Sequence, residues 1–385
     1  MNAPRAGTGA HRALWAEIDL DAVAHNFRAL RGALAPGVAL HACLKGDAYG
    51  CGIAAVAPLL ARAGATHFAV GNIADARAIR ACGLGQPVLL LYPNVLPGAA
   101  AEVAAEVAAL DLTITLQGAD EARAWAAAAR RPVPAFVKID MGAFRGGVMP
   151  EAAGELAAAI GAAGCFDIAG AYGHLHLPEP TGMDAQARWQ LGRFLAGVAA
   201  LEAAGVPVPV RMVSGTAAAL QFPEMDLDAV DPGRFLVGLG VPGATRALGL
   251  RPALHALKAA LLAVKAVRRT DRGGFEGPFP MTRDMRIGLI PFGWSDGCPR
   301  PLPPGMTALV RGRRVPLLGP THFEHLRVDL TEVPEATFGD EVVLIGRQGD
   351  EEIPLEEAAR TWGLVPLQLM GDLRTRIPRL YRGGA

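Results

Sequence analysis

The segment Ala42-Cys43-Leu44-Lys45-Gly46-Asp47-Ala48-Tyr49-Gly50 follows an apolar run, Val38-Ala39-Leu40, and closes in a glycine-rich turn. A lysine at the end of a buried strand loses hydration. Burial disfavours the ammonium, lowers the lysine pKa and leaves an amine nucleophilic enough to hold an aldehyde as a Schiff base. Tyr49, four residues on, falls where a phenol can meet a phosphate. Alone, such a lysine equally fits a side chain that snorkels from a strand end, so the other polar residues decide.

Those residues recur at comparable places. Lys138 and Arg145 stand in Val137-Lys138-Ile139-Asp140-Met141-Gly142-Ala143-Phe144-Arg145-Gly146-Gly147, His174 in Gly173-His174-Leu175-His176, Ser214 and Gly215 after Val213, and Asp231 in Val230-Asp231-Pro232-Gly233. Ser214 and Gly215 precede the helical run Thr216 to Leu220, so a hydroxyl and backbone amides at a helix start suit a dianionic phosphate; a plain N-cap serine is the alternative. Gly233 adds another backbone amide. A strand-end Lys138 and Arg145 also fit simple pairing with Asp140, and His176 fits a histidine satisfied by backbone.

The elements that position them alternate. Apolar β-branched runs at Val38–Leu44, His67–Gly71, Val88–Tyr92, Leu112–Leu116, Val133–Asp140, Phe166–Tyr172 and Val210–Val213 are separated by helix-forming stretches at Ile53–Arg62, Ile73–Arg80, Ala99–Ala108, Ala119–Arg130, Glu151–Ala162 and Ala185–Ala203. Strand-helix alternation repeated about eight times predicts an α/β fold, a (β/α)8 TIM-like barrel, with its chemistry at the strand C-terminal ends. Beyond about residue 245 the helical period fades. Pro and Gly cluster at Gly273 to Pro280 and Pro299 to Gly305, and short strands such as Arg286–Ile290, Thr307–Arg311 and Val342–Ile345 take over. The expected division is a barrel over residues 1–245 and a mostly β C-terminal domain over 246–385.

With 385 residues, two domains are expected. Equal numbers of basic and acidic residues, 37 each, give no polyanion-binding surface, so no nucleic acid partner is expected. No long apolar stretch predicts a membrane span, and the opening residues lack a signal-peptide core, so a soluble cytoplasmic protein is expected. Five cysteines without a Cys-x-x-Cys pair indicate neither a zinc site nor a disulfide framework.

The ordered set of motifs resembles the alanine racemase family. Lys-x-x-Ala-Tyr-Gly at 45–50 is similar to that family's pyridoxal 5'-phosphate (PLP) lysine motif, Trp15-Ala16-Glu17-Ile18-Asp19-Leu20 to its opening segment, and the 137–147 segment to its Lys-x-Asp-x-Gly-x-x-Arg-x-Gly run. Gly293-Trp294-Ser295-Asp296-Gly297, Phe338 to Gly346 and Ile377-Pro378-Arg379-Leu380-Tyr381 continue the order to the C-terminus. The resemblance implies a PLP enzyme with Lys45 as the aldehyde-holding residue and Ser214, Gly215, Gly233 and Tyr49 at the phosphate. It further implies Arg145 at the ring hydroxyl, Lys138 as a position able to carry a carbamate that orients Arg145, and His174 beside the ring. It also implies a homodimer with shared sites, in which Trp294 and Phe323 reach the partner's cofactor.

Four departures fall on the implied site. Asp231 stands where the family places an arginine against the pyridine nitrogen, and a carboxylate there would keep that nitrogen protonated. Trp294 replaces an acid/base tyrosine, and indole exchanges no proton near neutrality. Phe323-Glu324, flanked by His322 and His325, replaces a Met-Asp element, and Leu367 replaces a phosphate-binding tyrosine. The leading expectation is an amino-acid racemase acting at Cα with an altered site, in which His322 or His325 stands in for the lost phenol. One alternative is one-base PLP chemistry (decarboxylation, transamination or aldol cleavage) with Lys45 and an electron sink set by Asp231. A non-catalytic PLP carrier or regulator is the other.

Overall fold

The computed structural model describes residues 12–92, 97–178, 182–272, 279 and 281–384. The opening nine residues and most of the Gly/Pro cluster at 273–280, both read from the sequence, lie outside the described residues. Two compact units form: Ala22–Arg251, and Pro252–Ala385 together with the N-terminal segment ending at Asp21.

In the first unit, strands β2 (Ala39–Cys43), β3 (His67–Val70), β4 (Val88–Leu90), β5 (Leu112–Leu116), β6 (Val133–Lys138), β7 (Phe166–Tyr172), β8 (Arg211–Ser214) and β9 (Ala229–Val230) pair in order and in parallel. The ring closes where Ala39 and Leu40 of β2 pair with Ala229 and Val230 of β9. This is the expected (β/α)8 barrel. The strand β9 is only two residues long, too short to register as a periodic run. Helices intervene because each presents an apolar stripe to the barrel: Ile53–Arg62 buries Ile53, Val56, Ala57, Leu59 and Leu60, a three-to-four spacing. Asn72 caps Ile73–Ala81 by accepting from Asp75 N.

Inside the barrel, a core cluster of Cys43, Ala69, Leu89, Leu91, Phe136, Tyr172, Met212 and Ala229 sets large side chains of β4 and β6 to β8 against small ones of β2, β3 and β9. The Tyr172 hydroxyl donates to Leu91 O at 2.6 Å and lies 2.9 Å from Thr115 Oγ1, so the one phenol in this cluster is fully engaged. One layer lower, the His41 and His67 rings stack at 4.4 Å and are parallel to within 2°. His41 also meets Phe136 edge-on.

The second unit is a sheet with strand order β11-β12-β15-β14-β13-β16-β10-β1-β18: β1 (Leu14–Asp19), β10 (Leu254–Ala260), β11 (Ala263–Val267), β12 (Met285–Ile290), β13 (Thr307–Val310), β14 (Arg313–Leu318), β15 (Leu326–Asp329), β16 (Glu341–Gln348) and β18 (Arg379–Arg382), with β17 (Glu351–Ile353) pairing off β16. The sequence-based division at 245/246 is corrected here at both ends. The barrel unit runs on to Arg251, and β1 joins the late sheet, antiparallel to β10 and parallel to β18. A strand with buried Leu14, Ala16 and Ile18 needs partners on both edges, and the partners it finds lie some 240 and 360 residues later in the chain. No helix among the described residues is long and apolar enough to cross a membrane.

Candidate active site

Each barrel strand ends at one mouth, and the polar residues singled out from the sequence gather there. Lys45 follows β2, Lys138 ends β6, Arg145 lies in the loop after β6, His174 follows β7, and Asp231 follows β9. Their charges act on one another: Lys45, Lys138 and Arg145 all bear on Asp231, and the same three bear on His174.

The lysine is held by an unusual piece of backbone. Gly46, Asp47, Ala48, Tyr49 and Gly50 all have positive φ, and Gly46 to Ala48 lie near (60°, 50°), so Lys45–Tyr49 winds as one left-handed turn. Such geometry costs an L-residue roughly 1–2 kcal/mol, and three residues here are not glycine. Hydrogen bonds hold it in place: Gly46 N donates to Asp75 Oδ2 at 3.1 Å, Ile53 N to Asp47 Oδ1 at 2.7 Å, and Gly50 N to Gly46 O at 3.0 Å. Asp75 is itself fixed by its place in the Asn72 cap.

The expected lowering of the Lys45 pKa is corrected. Burial is the largest influence and pulls it down, but the fields of its neighbours, Cys43 and Asp231 among them, together outweigh burial and raise the lysine above its ordinary value. The depressed amine is Lys138, brought to about 8 by burial with added repulsion from Arg145 and Lys45. Its Nζ sits between two aromatic faces, 4.9 Å from the centroid of Tyr92 and 5.5 Å from that of Tyr172. The loop bearing Arg145 is pinned beside it. Gly147 N donates to Gln117 Oε1 at 3.1 Å, Asp140 Oδ1 accepts from the amides of Gly142, Ala143 and Phe144, and a Cβ on Gly147 would fall 2.6 Å from Asp140 N. Asp140 is therefore spent on backbone amides rather than on pairing with Lys138 or Arg145.

Two glycines form a cradle. A Cβ on Gly233 would lie 1.8 Å from Tyr49 Oη, and one on Gly215 would lie 2.8 Å from His174 Cε1. The phenol and the imidazole thus rest directly on backbone, as motifs at 45–50 and 173–176 require of residues 233 and 215. Burial brings His174 to about 3, so its ring is neutral. Burial, with Cys43 beside it, pushes the Tyr49 phenol well up, and its hydroxyl donates to Cys43 Sγ at 3.6 Å.

Ser214 does not take the place expected of it. Its hydroxyl donates to Met225 O at 2.8 Å, behind the strand, and the residue is fully buried. The hydroxyl on the cradle side belongs to Thr216, the first residue of the helix Thr216–Gln221, whose Oγ1 accepts from Gly233 N at 3.1 Å and Phe235 N at 3.4 Å. The strand-final serine bonds back to Met225, whereas Thr216, also buried, opens the helix beside Gly233. The sequence reading missed Thr216, and also Gln117 and Tyr92, which follow β5 and β4. Their signal was the position itself, just past an apolar strand.

Asp231 is only 6 % exposed, and its Oδ1 has no hydrogen-bond partner among the described residues. Burial raises its carboxyl to about 6 despite the nearby cations.

The other singled-out residues cluster in the second unit. Trp294 N donates to His322 O and Ser295 N to Phe323 O, both at 3.0 Å, tying two loops together. The Trp294 and Phe323 rings meet edge to face at 4.5 Å, and both are solvent-exposed, Phe323 at 54 %. Asp296, fully buried, accepts from Gly293 N and pairs with Arg12 and Arg376, and Arg376 also reaches Glu324 beside Phe323. His322 stacks on His325 at 4.6 Å and contacts the Arg327 guanidinium through Nε2. Partial burial and that guanidinium lower the His322 pKa, which disfavours a protonated ring. Leu367 lies half-buried in a short helix, Pro366–Asp372.

A closed parallel barrel whose mouth gathers a strand-end lysine, a glycine cradle and a cationic rim has the architecture of an enzyme with its site at the strand C-terminal ends. The match to known proteins gives the lineage. Residues 18–241 match the model of the alanine racemase N-terminal domain and residues 254–381 that of its C-terminal domain. An alanine racemase of Desulfovibrio desulfuricans is 33 % identical over 374 residues, covering 96 % of this chain and 98 % of the relative. One of Desulforamulus reducens is 32 % identical over 381 residues, covering 96 % and 99 %. The crystal structure of alanine racemase from D-cycloserine-producing Streptomyces lavendulae superposes with a TM-score of 0.83 at 30 % identity, covering 98 % of this chain and 99 % of that one. The chain belongs to the alanine racemase family, and its cofactor is PLP.

Proposed function

We propose that the protein is a PLP-dependent amino-acid racemase with Lys45 as the cofactor-holding residue and as one of its two proton-transfer groups. The observation that carries this reading is the rigid left-handed turn that fixes Lys45 at the barrel mouth beside Arg145, His174 and Asp231. The residues present fit PLP. Lys45 takes the aldehyde, Arg145 suits the ring hydroxyl, and the neutral imidazole of His174 lies flat on Gly215. Tyr49 and Thr216 would hold the phosphate, the Thr216 hydroxyl donating to it while it accepts from the Gly233 amide. Bound there, PLP withdraws electrons from an amino acid's Cα. Lys45 Nζ then moves a proton at that carbon, while the packed glycine cradle keeps water from the phosphate end.

In the racemase reading, a second group serves the opposite face of the substrate. The family expectation is a homodimer with shared sites, and Trp294 and Phe323 form an exposed aromatic pair suited to shaping a substrate pocket. Mixing a Lys45→Ala chain with a Phe323→Ala chain should restore activity in heterodimers if sites are shared. Lys138, with its lowered pKa beside Arg145, suits reversible carbamate formation.

Incubation with single L-amino acids in D2O, followed by chiral chromatography and mass spectrometry, tests the main reading: D-enantiomer carrying deuterium at Cα is expected. A second reading, one-base Cα chemistry, is favoured by Trp294, whose indole supplies no exchangeable proton near neutrality. It would appear in the same experiment as carbon dioxide or aldehyde release, or as deuterium exchange without inversion.

A further inference from the structure

Among the described residues the mouth gathers three cations, Lys45, Lys138 and Arg145, around Asp231, while the other carboxylate beside Lys138, Asp140, accepts from the amides of its own loop. The Asp231 carboxylate is buried, and its Oδ1 lacks a hydrogen-bond partner among the described residues. An orphaned buried carboxylate oxygen is costly and calls for a donor. The backbone supplies none: the Asp231 amide itself is committed to Ser214 O at 3.1 Å. Oδ1 faces the wall made by Gly215, whose missing Cβ would stand 3.8 Å from it and 2.8 Å from the His174 ring. The carboxylate and the imidazole therefore border the same small space.

Resting on the PLP reading, chemistry narrows what can enter that space. Of the cofactor's polar groups, the phosphate and the ring hydroxyl in its ionised form are anionic and would be repelled by a carboxylate. The aldehyde belongs to Lys45. With the ring hydroxyl placed at Arg145 and the phosphate at Tyr49 and Thr216, the ring nitrogen, opposite the aldehyde on the ring, is the group left to carry a proton toward a carboxylate. We propose that Asp231 Oδ1 accepts a hydrogen bond from the protonated ring nitrogen of PLP and keeps that nitrogen protonated. One proton is shared along the N–H to Oδ1 axis, and the charge pair satisfies a carboxylate that the protein leaves bare. The electron demand at the substrate Cα is set by this residue. The positive pyridine nitrogen stabilises negative charge at Cα more than a neutral one does, so Asp231 acts on the reaction from the far side of the ring.

The test uses holoenzyme reconstituted with PLP labelled with 15N at the ring nitrogen. The native protein should give the protonated-pyridine chemical shift throughout pH 6–9, and Asp231→Ala should move it to the free-pyridine position. In parallel, apo-protein is titrated with PLP and with its 1-deaza analogue, which has carbon in place of the ring nitrogen. Native protein should prefer PLP by roughly 10- to 100-fold, the range of a charge-assisted hydrogen bond, and Asp231→Ala should reduce the ratio to near unity. A free-pyridine shift in native holoenzyme, equal affinity for the two cofactors, or a protonated shift that survives in Asp231→Ala each overturns the proposal. If Asp231→Ala does not fold, the native shift and the native affinity ratio decide. Borohydride reduction separates the two readings: no labelled Lys45 peptide removes the PLP reading and this proposal with it, whereas a labelled Lys45 with an unprotonated ring nitrogen removes this proposal alone.

Discussion

The two levels of the barrel lumen treat titratable side chains in opposite ways. At the mouth, Lys45, Lys138, Arg145 and Asp231 stay within each other's fields, and burial is answered by opposite charge. One layer down, His41 and His67 stack face to face against Phe136, and among the described residues no carboxylate pairs with either ring. Burial and mutual repulsion bring His41 to about 3. The same apolar wall thus yields a charged reaction chamber above and a neutral plug below. Compensating charge decides whether a buried group keeps or loses its ionised form: His174, at the mouth but surrounded by cations, is brought to about 3 just as His41 is.

The comparison breaks most sharply at Lys45. Lys45→Ala should abolish cofactor attachment and lower turnover roughly 10,000-fold or more, read by borohydride labelling and steady-state rates, while the melting temperature changes little. Comparable rates would mean that the mouth's charges do no chemistry.

The plug should fail in acid. The His41 pKa lies below its unfolded value of about 6.5, so the unfolded chain binds the extra proton. Stability from a neutral His41 is fully present above pH 6.5 and is lost as pH falls toward 3. Linkage over that span is roughly 4 kcal/mol. Denaturant titrations of apo-protein from pH 7 to 4 should show the decline, and His41→Leu should make it shallower while leaving the share due to His174; an unchanged slope would place the acid-sensitive group elsewhere.

Asp231→Ala should slow Cα chemistry roughly 100-fold, the scale of losing one preorganised electrostatic partner, with Lys45 labelling intact. Near-normal rates would show that the Asp231 carboxylate is ornamental to turnover.

The smallest effect concerns Tyr92. Removing one of two aromatic faces from Lys138 costs the ammonium about 0.5–1 kcal/mol. Tyr92→Leu should therefore make Lys138 a few-fold more reactive toward an amine reagent at pH 8, measured by peptide mapping, with Lys45 as internal control.

The barrel was legible because seven of its strands are apolar runs of three or more residues separated by helix-forming stretches, and the mouth residues sit just past those runs. What escaped depended on distant partners or on handedness. Trp15 to Leu20 was legible only as an opening segment similar to the family's, and nothing local says that it is a strand pairing with Leu254–Ala260 and Arg379–Arg382. Ser214 and Thr216 are both hydroxyls beside Gly215, and only the change from strand to helix between them decides which faces the cradle. The Lys45 pKa went the other way because Cys43 and Tyr92 are neighbours through space, a term that desolvation reasoning omits.

The left-handed turn behind Lys45 has a consequence for anyone engineering this protein. Asp47 and Ala48 hold a conformation that glycine adopts without penalty, so Asp47→Gly or Ala48→Gly would relax the turn itself. The sequence instead keeps side chains there, and one of them, Asp47, ties the turn to the next helix through Ile53. Thermostability campaigns that search for relief of backbone tension will find this loop attractive, and each gain taken there would widen the arc through which the lysine's tip wanders.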